Sequence, residues 1–137
     1  KLDTPMQKRS CDFNNYVEAL YKSTMRNNDK RTKDLRFVIT EEDIIALYEK
    51  QNGKCALSGI KMTHVGYQSN DFKKQNIWNM SVDRIDSNIG YTKDNIQLVC
   101  NVVNKMKSDL PDTEFINWCK CIAKHNAIKI NELVPSI

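Results

Sequence analysis

Apolar residues recur along this 137-residue chain with spacings that change from segment to segment, and the changes mark its elements. Phe13, Tyr16, Val17, Leu20, Tyr21 and Thr24 repeat at i, i+3, i+4, i+7, i+8 and i+11, one face of an amphipathic helix, with Asp12 placed to cap it. Ile44, Leu47 and Tyr48 form a shorter helical stripe behind Thr40, with Asp43 where a capping box carries its acid and Gly53 as the stop. Met80 to Ile85 is rich in β-branched residues and runs into the turn cluster Asp86-Ser87-Asn88-Ile89-Gly90, so it predicts a strand and a reversal. Asn95 to Val99 predicts the returning strand. From Cys100 onward the spacing moves towards 3.6, and Val99, Val102, Val103 and Met106 make a helical stripe. Leu110-Pro111 opens a last helix whose apolar side is Phe115, Ile116, Trp118, Cys119, Ile122 and Ala123.

These elements predict an α+β fold in one compact domain: residues 1–39 a helix and basic connector, 40–110 the core, 111–137 a closing helix and tail. The polar stretch His64 to Asn79 is long for a connection inside such a domain, long enough to fold over a ligand. Within the hairpin, alternation puts Val82 and Arg84 on one face and Ser81, Asp83 and Ile85 on the other. Each face therefore mixes apolar and charged groups, which a strand that only closes a core would separate.

Lysine and arginine exceed aspartate and glutamate by 21 to 17, giving a net charge of +4, a balance that permits nucleic acid without requiring it. Arg26, Lys30, Arg31, Lys33 and Arg36 cluster in the connector. Alone such a run reads as solvated chain; beside a site that handles nucleic acid it reads as phosphate contacts, because each cation set against a phosphate releases counterions. Nothing in the sequence spans or targets a membrane. Five irregularly spaced cysteines favour reduced thiols and an intracellular setting over a disulfide framework.

The chemistry concentrates between Met80 and Lys107. A carboxylate at a strand end and an amide on the following helix suit one hard divalent cation, which takes oxygen ligands and keeps its waters. Asp83 and Asn104 are the two expected ligands, with Arg84 and Lys107 facing a phosphate.

Val82-Asp83-Arg84-Ile85-Asp86, Gly90-Tyr91, Asp94-Asn95 and Cys100-x-x-x-Asn104-x-x-Lys107, with Cys55-x-x-Ser58-Gly59 upstream, resemble the HNH, or ββα-metal, nuclease family. The likeness covers roughly Asp43 to Lys107. It implies a treble-clef-like hairpin plus helix flanked by N- and C-terminal helices, and a metal-dependent endonuclease acting on double-stranded DNA with one Mg²⁺ or Mn²⁺. A homodimer would fit cleavage of both strands. Family members usually carry a water-activating histidine after the metal-binding aspartate, whereas this chain has Arg84, which stays protonated and is a poor base. Arg84 is then expected to hold water or phosphate, with His64 as the nearest candidate base. Asn95 is expected to brace the turn and Lys107 to assist. Relatives often hold zinc between two C-x-x-C pairs; the matching positions here are Cys55, Ser58, Cys100 and Val103, which cannot supply four ligands, so no structural zinc is expected. The competing expectations are a catalytically inactive nucleic-acid-binding module on the same scaffold, and a helical interaction protein in which the site is coincidental.

Overall fold

The computed structural model describes residues 13–31, 35–65 and 77–127. The expected Asp12 cap, Lys33, the Arg31 side chain, the stretch 66–76 and the tail from 128 lie outside the described residues. In chain order the elements are α1 (Phe13–Arg31), α2 (Glu41–Lys50), β1 (Met80–Arg84), a 3₁₀ turn (Lys93–Asn95), β2 (Ile96–Cys100), α3 (Asn101–Lys107) and α4 (Asp112–His125). The fold is α+β, with β1 and β2 an antiparallel hairpin.

Local chemistry explains each start and stop. Thr40 Oγ1 accepts from the Asp43 N–H while the Asp43 carboxylate accepts from the Thr40 N–H, so α2 begins with a complete capping box. It ends where Asn52 and Gly53 both take positive φ, 56° and 70°, and the Gly53 N–H returns to Tyr48 O. The hairpin register pairs Ser81 with Val99, Asp83 with Gln97 and Arg84 with Ile96. Every residue of β1 is buried, so both its faces are covered. Ile44 of α2, Val17 of α1, and Met80, Leu98, Val99 and Cys100 of the hairpin form the core. Tyr16 Oη donates to Met80 O at 2.9 Å, and the Phe13 and Tyr48 rings pack 4.6 Å apart, which docks α1 across the hairpin and α2.

Two helix faces differ from the periodicity. On α3 the expected inward Met106 is 58% exposed, and Lys107 is 1% exposed in its place. A satisfied ammonium buries more readily than hydropathy implies, and Lys107 finds its acceptors on β1 and α4. On α4 only Phe115 is buried and Cys119 half-buried, whereas Ile116, Trp118 and Ile122 are exposed. That helix leans on the domain through Phe115 and Cys119, in its first two turns. The strands are also shorter than expected at the reversal: β1 stops at Arg84, and Asn95 belongs to the 3₁₀ turn.

Candidate metal and phosphate site

The reversal between the strands is held by one amide. Asn95 Oδ1 accepts from the Asp86 N–H at 3.0 Å, and its Nδ2 donates to Asp86 O, Ile89 O and Gly90 O. The side chain thus replaces the backbone ladder that the long reversal between Arg84 and Ile96 lacks. Gly90 is required by close approach, because a Cβ there would run into the Arg36 backbone. That approach lets the Tyr91 N–H reach Arg36 O at 2.8 Å and the Val38 N–H reach Tyr91 O at 2.9 Å. Tyr91 then packs at a tilt against Phe37, which meets Tyr21 of α1. Over the Tyr91 ring, 5.2 Å from its centre, lies the Arg84 guanidinium, which also donates to Ser87 O.

Asp83 is the centre of a buried polar network. Its Oδ2 accepts from Lys107 Nζ at 2.7 Å and from Gln97 Nε2 at 2.9 Å. Lys107 Nζ also donates to Arg84 O and lies 3.1 Å from Asp112 Oδ1, so its three protons have three acceptors. Gln97 Nε2 bridges on to the Asp112 carboxylate. Asn104 Nδ2 donates to Ser81 Oγ, which itself donates to Val99 O. These contacts orient both expected metal ligands. Each is tethered through one atom, and no described residue donates to Asp83 Oδ1 or Asn104 Oδ1.

Asp83, Arg84 and Asn104 line one predominantly polar cavity of about 360 Å³, with Ser81, Asn101 and Asp109. Ser23, Thr24 and Asn27 of α1 form its opposite wall. A carboxylate and an amide side chain on one polar cavity are of the donor type that a hard divalent cation accepts. Among the described residues no three His, Cys, Asp or Glu side chains converge on one point.

Other expected site residues stand elsewhere. Lys107 lies beneath the cavity, not in its mouth, so it is not placed to meet a phosphate directly. His64 does not reach the cavity; it sits among Phe13, Tyr16 and Tyr48 at 5.3, 6.2 and 6.4 Å between ring centres. The base position expected for it is therefore empty of histidine, because the aromatic faces of α1 and α2 have absorbed the imidazole into packing. Arg26 and Lys30 are exposed on α1 outside the cavity lining, and Arg36 is exposed beside the Tyr91 bridge.

Beneath the hairpin, Cys55-x-x-Ser58-Gly59 forms a tight knuckle. Cys55 Sγ accepts from the Ser58 and Cys100 N–H groups, each at 3.4 Å. Burial opposes ionisation of Cys55, but hydrogen bonds from the Ser58 side chain and from the Cys100, Ser58 and Leu57 backbone outweigh it, and its pKa falls below the ordinary 9.0. Burial, then the neighbouring Cys55, pushes Cys100 up to about 11. The fourth position of the expected knuckle set, Val103, is buried in the core.

Gln97, Asp112 and Ser81 were not singled out in the sequence. Gln97 could have been found from the register, directly opposite Asp83, once both strands were placed. Asp112 gives no such signal, since an acid in the first turn of a helix is ordinary. Gln51 is another: its amide donates to Leu98 O and accepts from the Leu98 N–H, pairing the free edge of β2 as a strand would.

No family model matches the chain, and no solved structure matches it. It is similar to the uncharacterized protein R423 of Acanthamoeba polyphaga mimivirus, 31% identical over 93 residues. That match covers 68% of this chain and 14% of the viral protein's length. Among the described residues no helix is long and apolar enough to cross a membrane.

Proposed function

We propose that this chain is an HNH-type, ββα-metal endonuclease that hydrolyses phosphodiester bonds in double-stranded DNA with one divalent cation. The observation that carries the reading is the pair Asp83 and Asn104: one from a strand, one from the next helix, each fixed through one atom and each with its Oδ1 free of donors on a shared polar cavity. Those two oxygens would hold Mg²⁺ or Mn²⁺, and the bound ion supplies Lewis-acid charge to a phosphoryl oxygen.

The side chains around them divide the remaining work. Arg84 offers a permanent cation, pre-oriented by Tyr91 and Ser87, to the scissile phosphate. Lys107 positions Asp83 from below and acts through it. As the oxygen of water bonds to phosphorus and one P–O ester bond breaks, a proton must leave the water. Asp109 is the lining carboxylate not engaged in the Lys107 network, and takes that role in place of the absent histidine. A homodimer would place two such sites on opposite strands.

The test is cleavage of supercoiled plasmid with Mg²⁺ or Mn²⁺. Wild type converts the plasmid to nicked or linear form, EDTA abolishes this, and Asp83→Ala and Asn104→Ala each lose about 100-fold or more. The second reading, a binding module without catalysis, is favoured by how completely Lys107 and Gln97 satisfy one oxygen of Asp83. It wins if wild type and Asp83→Ala both retard DNA in a gel and both leave it intact.

A further inference from the structure

The knuckle hairpin sets two lysines against each other with no ion-pair partner among the described residues. The Cys55 N–H donates to Ile60 O and the Met62 N–H to Gly53 O, each at 2.8 Å, which makes Lys54 and Lys61 directly opposed residues of an antiparallel bridge. The bonds flank the pair and do not join it. This is the arrangement in which facing Cα atoms lie closest, at about 4.5 Å, and side chains run side by side. Both lysines are exposed, and neither forms an ion pair with a described residue. Like charges placed this way repel and destabilise the hairpin unless an anion lies between them.

Next to the pair is a shallow, mostly apolar cavity of about 600 Å³ lined by Ser58, Gly59, Ile60, Lys61, Thr63 and Trp78. Trp78 is 41% exposed, unusual for the largest apolar side chain in so small a domain. Its backbone is fixed: the Thr63 N–H donates to Trp78 O at 2.9 Å, and Asn79 is clamped by Thr63 Oγ1 at 2.6 Å and by Val65. Gly59, with φ of 75° and open space where a Cβ would stand, leaves the rim unobstructed. The face therefore joins a held aromatic plane to two adjacent cations.

We propose that this face binds an unpaired nucleotide strand, with a base stacked on Trp78 and a neighbouring phosphate between Lys54 and Lys61. A duplex hides the faces of its bases, and an acidic peptide would engage the lysines and leave the indole bare; a single strand satisfies both. The inference shares a partner class with the function proposed above but stands on separate residues and does not need hydrolysis.

It is tested on the full chain in EDTA, which removes the divalent cation and makes the outcome independent of cleavage. Trp118→Phe in the same chain leaves Trp78 as its one tryptophan. Titration with short oligothymidylate at low salt quenches Trp78 fluorescence. The double variant Lys54→Gln, Lys61→Gln frees the one phosphate held between them and lowers the slope of log affinity against log salt by about 0.7, the value per phosphate for single strands. Replacing Trp78 by Ala, with binding followed by anisotropy of a labelled oligonucleotide, weakens it about tenfold. The lysine variant relieves a repulsion, so its thermal midpoint does not fall and its weaker binding is not unfolding. The proposal is overturned if the double variant keeps wild-type affinity and salt slope. It is overturned equally if the oligonucleotide leaves the fluorescence unchanged, or if a blunt duplex or a polyglutamate peptide binds this face as tightly as the single strand.

Discussion

A lysine ammonium loses its hydration when it is buried, and Lys107 recovers the loss through Asp83, Asp112 and the carbonyl of Arg84. Such a pair need not make the fold more stable than an apolar replacement would, but removing one partner alone strands the other charge. Lys107→Ala leaves two carboxylates facing each other around Gln97, and is expected to cost about 3–5 kcal/mol in urea denaturation. A loss under 1 kcal/mol would mean that the ammonium is not needed where it sits. The same residue shows what local spacing leaves out. Asp83 was legible because an acid inside an apolar strand conflicts with its surroundings and so advertises a purpose. Lys107 was read towards phosphate because a lysine is expected in solvent, and its burial follows from Asp112, a tertiary neighbour that no local spacing reveals.

Among the elements, the reversal from β1 to β2 shows how a turn can organise a site. Gly90 brings the Arg36 backbone against the turn, which places Tyr91 beneath Arg84 and links both to Phe37 and Tyr21 of α1. Gly90→Ala puts a methyl group into that backbone contact, an overpacking that costs typically about 1–3 kcal/mol. The expected result is a lower thermal midpoint together with reduced plasmid cleavage, since Arg84 loses its floor. An unchanged midpoint would show that the connector moves aside freely. The Gly90-Tyr91 dipeptide and Asn95 were visible in the sequence as turn chemistry, and α2 was visible from Thr40, Asp43 and Gly53 because capping is local. The faces of α3 and α4 were not, since a stripe of apolar residues predicts a helix but not what covers it. Trp118 and Ile122 complete a stripe that no described element covers.

For the molecule as a whole, the seam between knuckle and hairpin is where stability should respond to alkali. Cys100 holds its proton more tightly folded than unfolded, with a pKa raised from 9.0 to about 11 by burial and by Cys55. Its contribution is therefore full below about pH 9 and lost as the pH rises through about 11. Cys55, shifted downward, contributes in the opposite sense: its share is present above 9.0 and declines as the pH falls. Urea midpoints of wild type and Cys100→Ala should accordingly converge between pH 9 and 11, wild type losing more; parallel curves would remove the thiol from the account. The unequal proton affinities of the two cysteines were not legible in the sequence, because they depend on N–H groups that only the folded backbone supplies.

The first turn of α4 is joined to the acid of the site through the Lys107 ammonium and the Gln97 amide, while the rest of that helix stands largely clear of the domain. A protease nick in the short link at Ser108 to Pro111 would thus do more than release an appendage. With its second carboxylate adrift, the stranded cation would draw harder on the one remaining, so damage at the periphery would be felt as a change of charge balance at the centre.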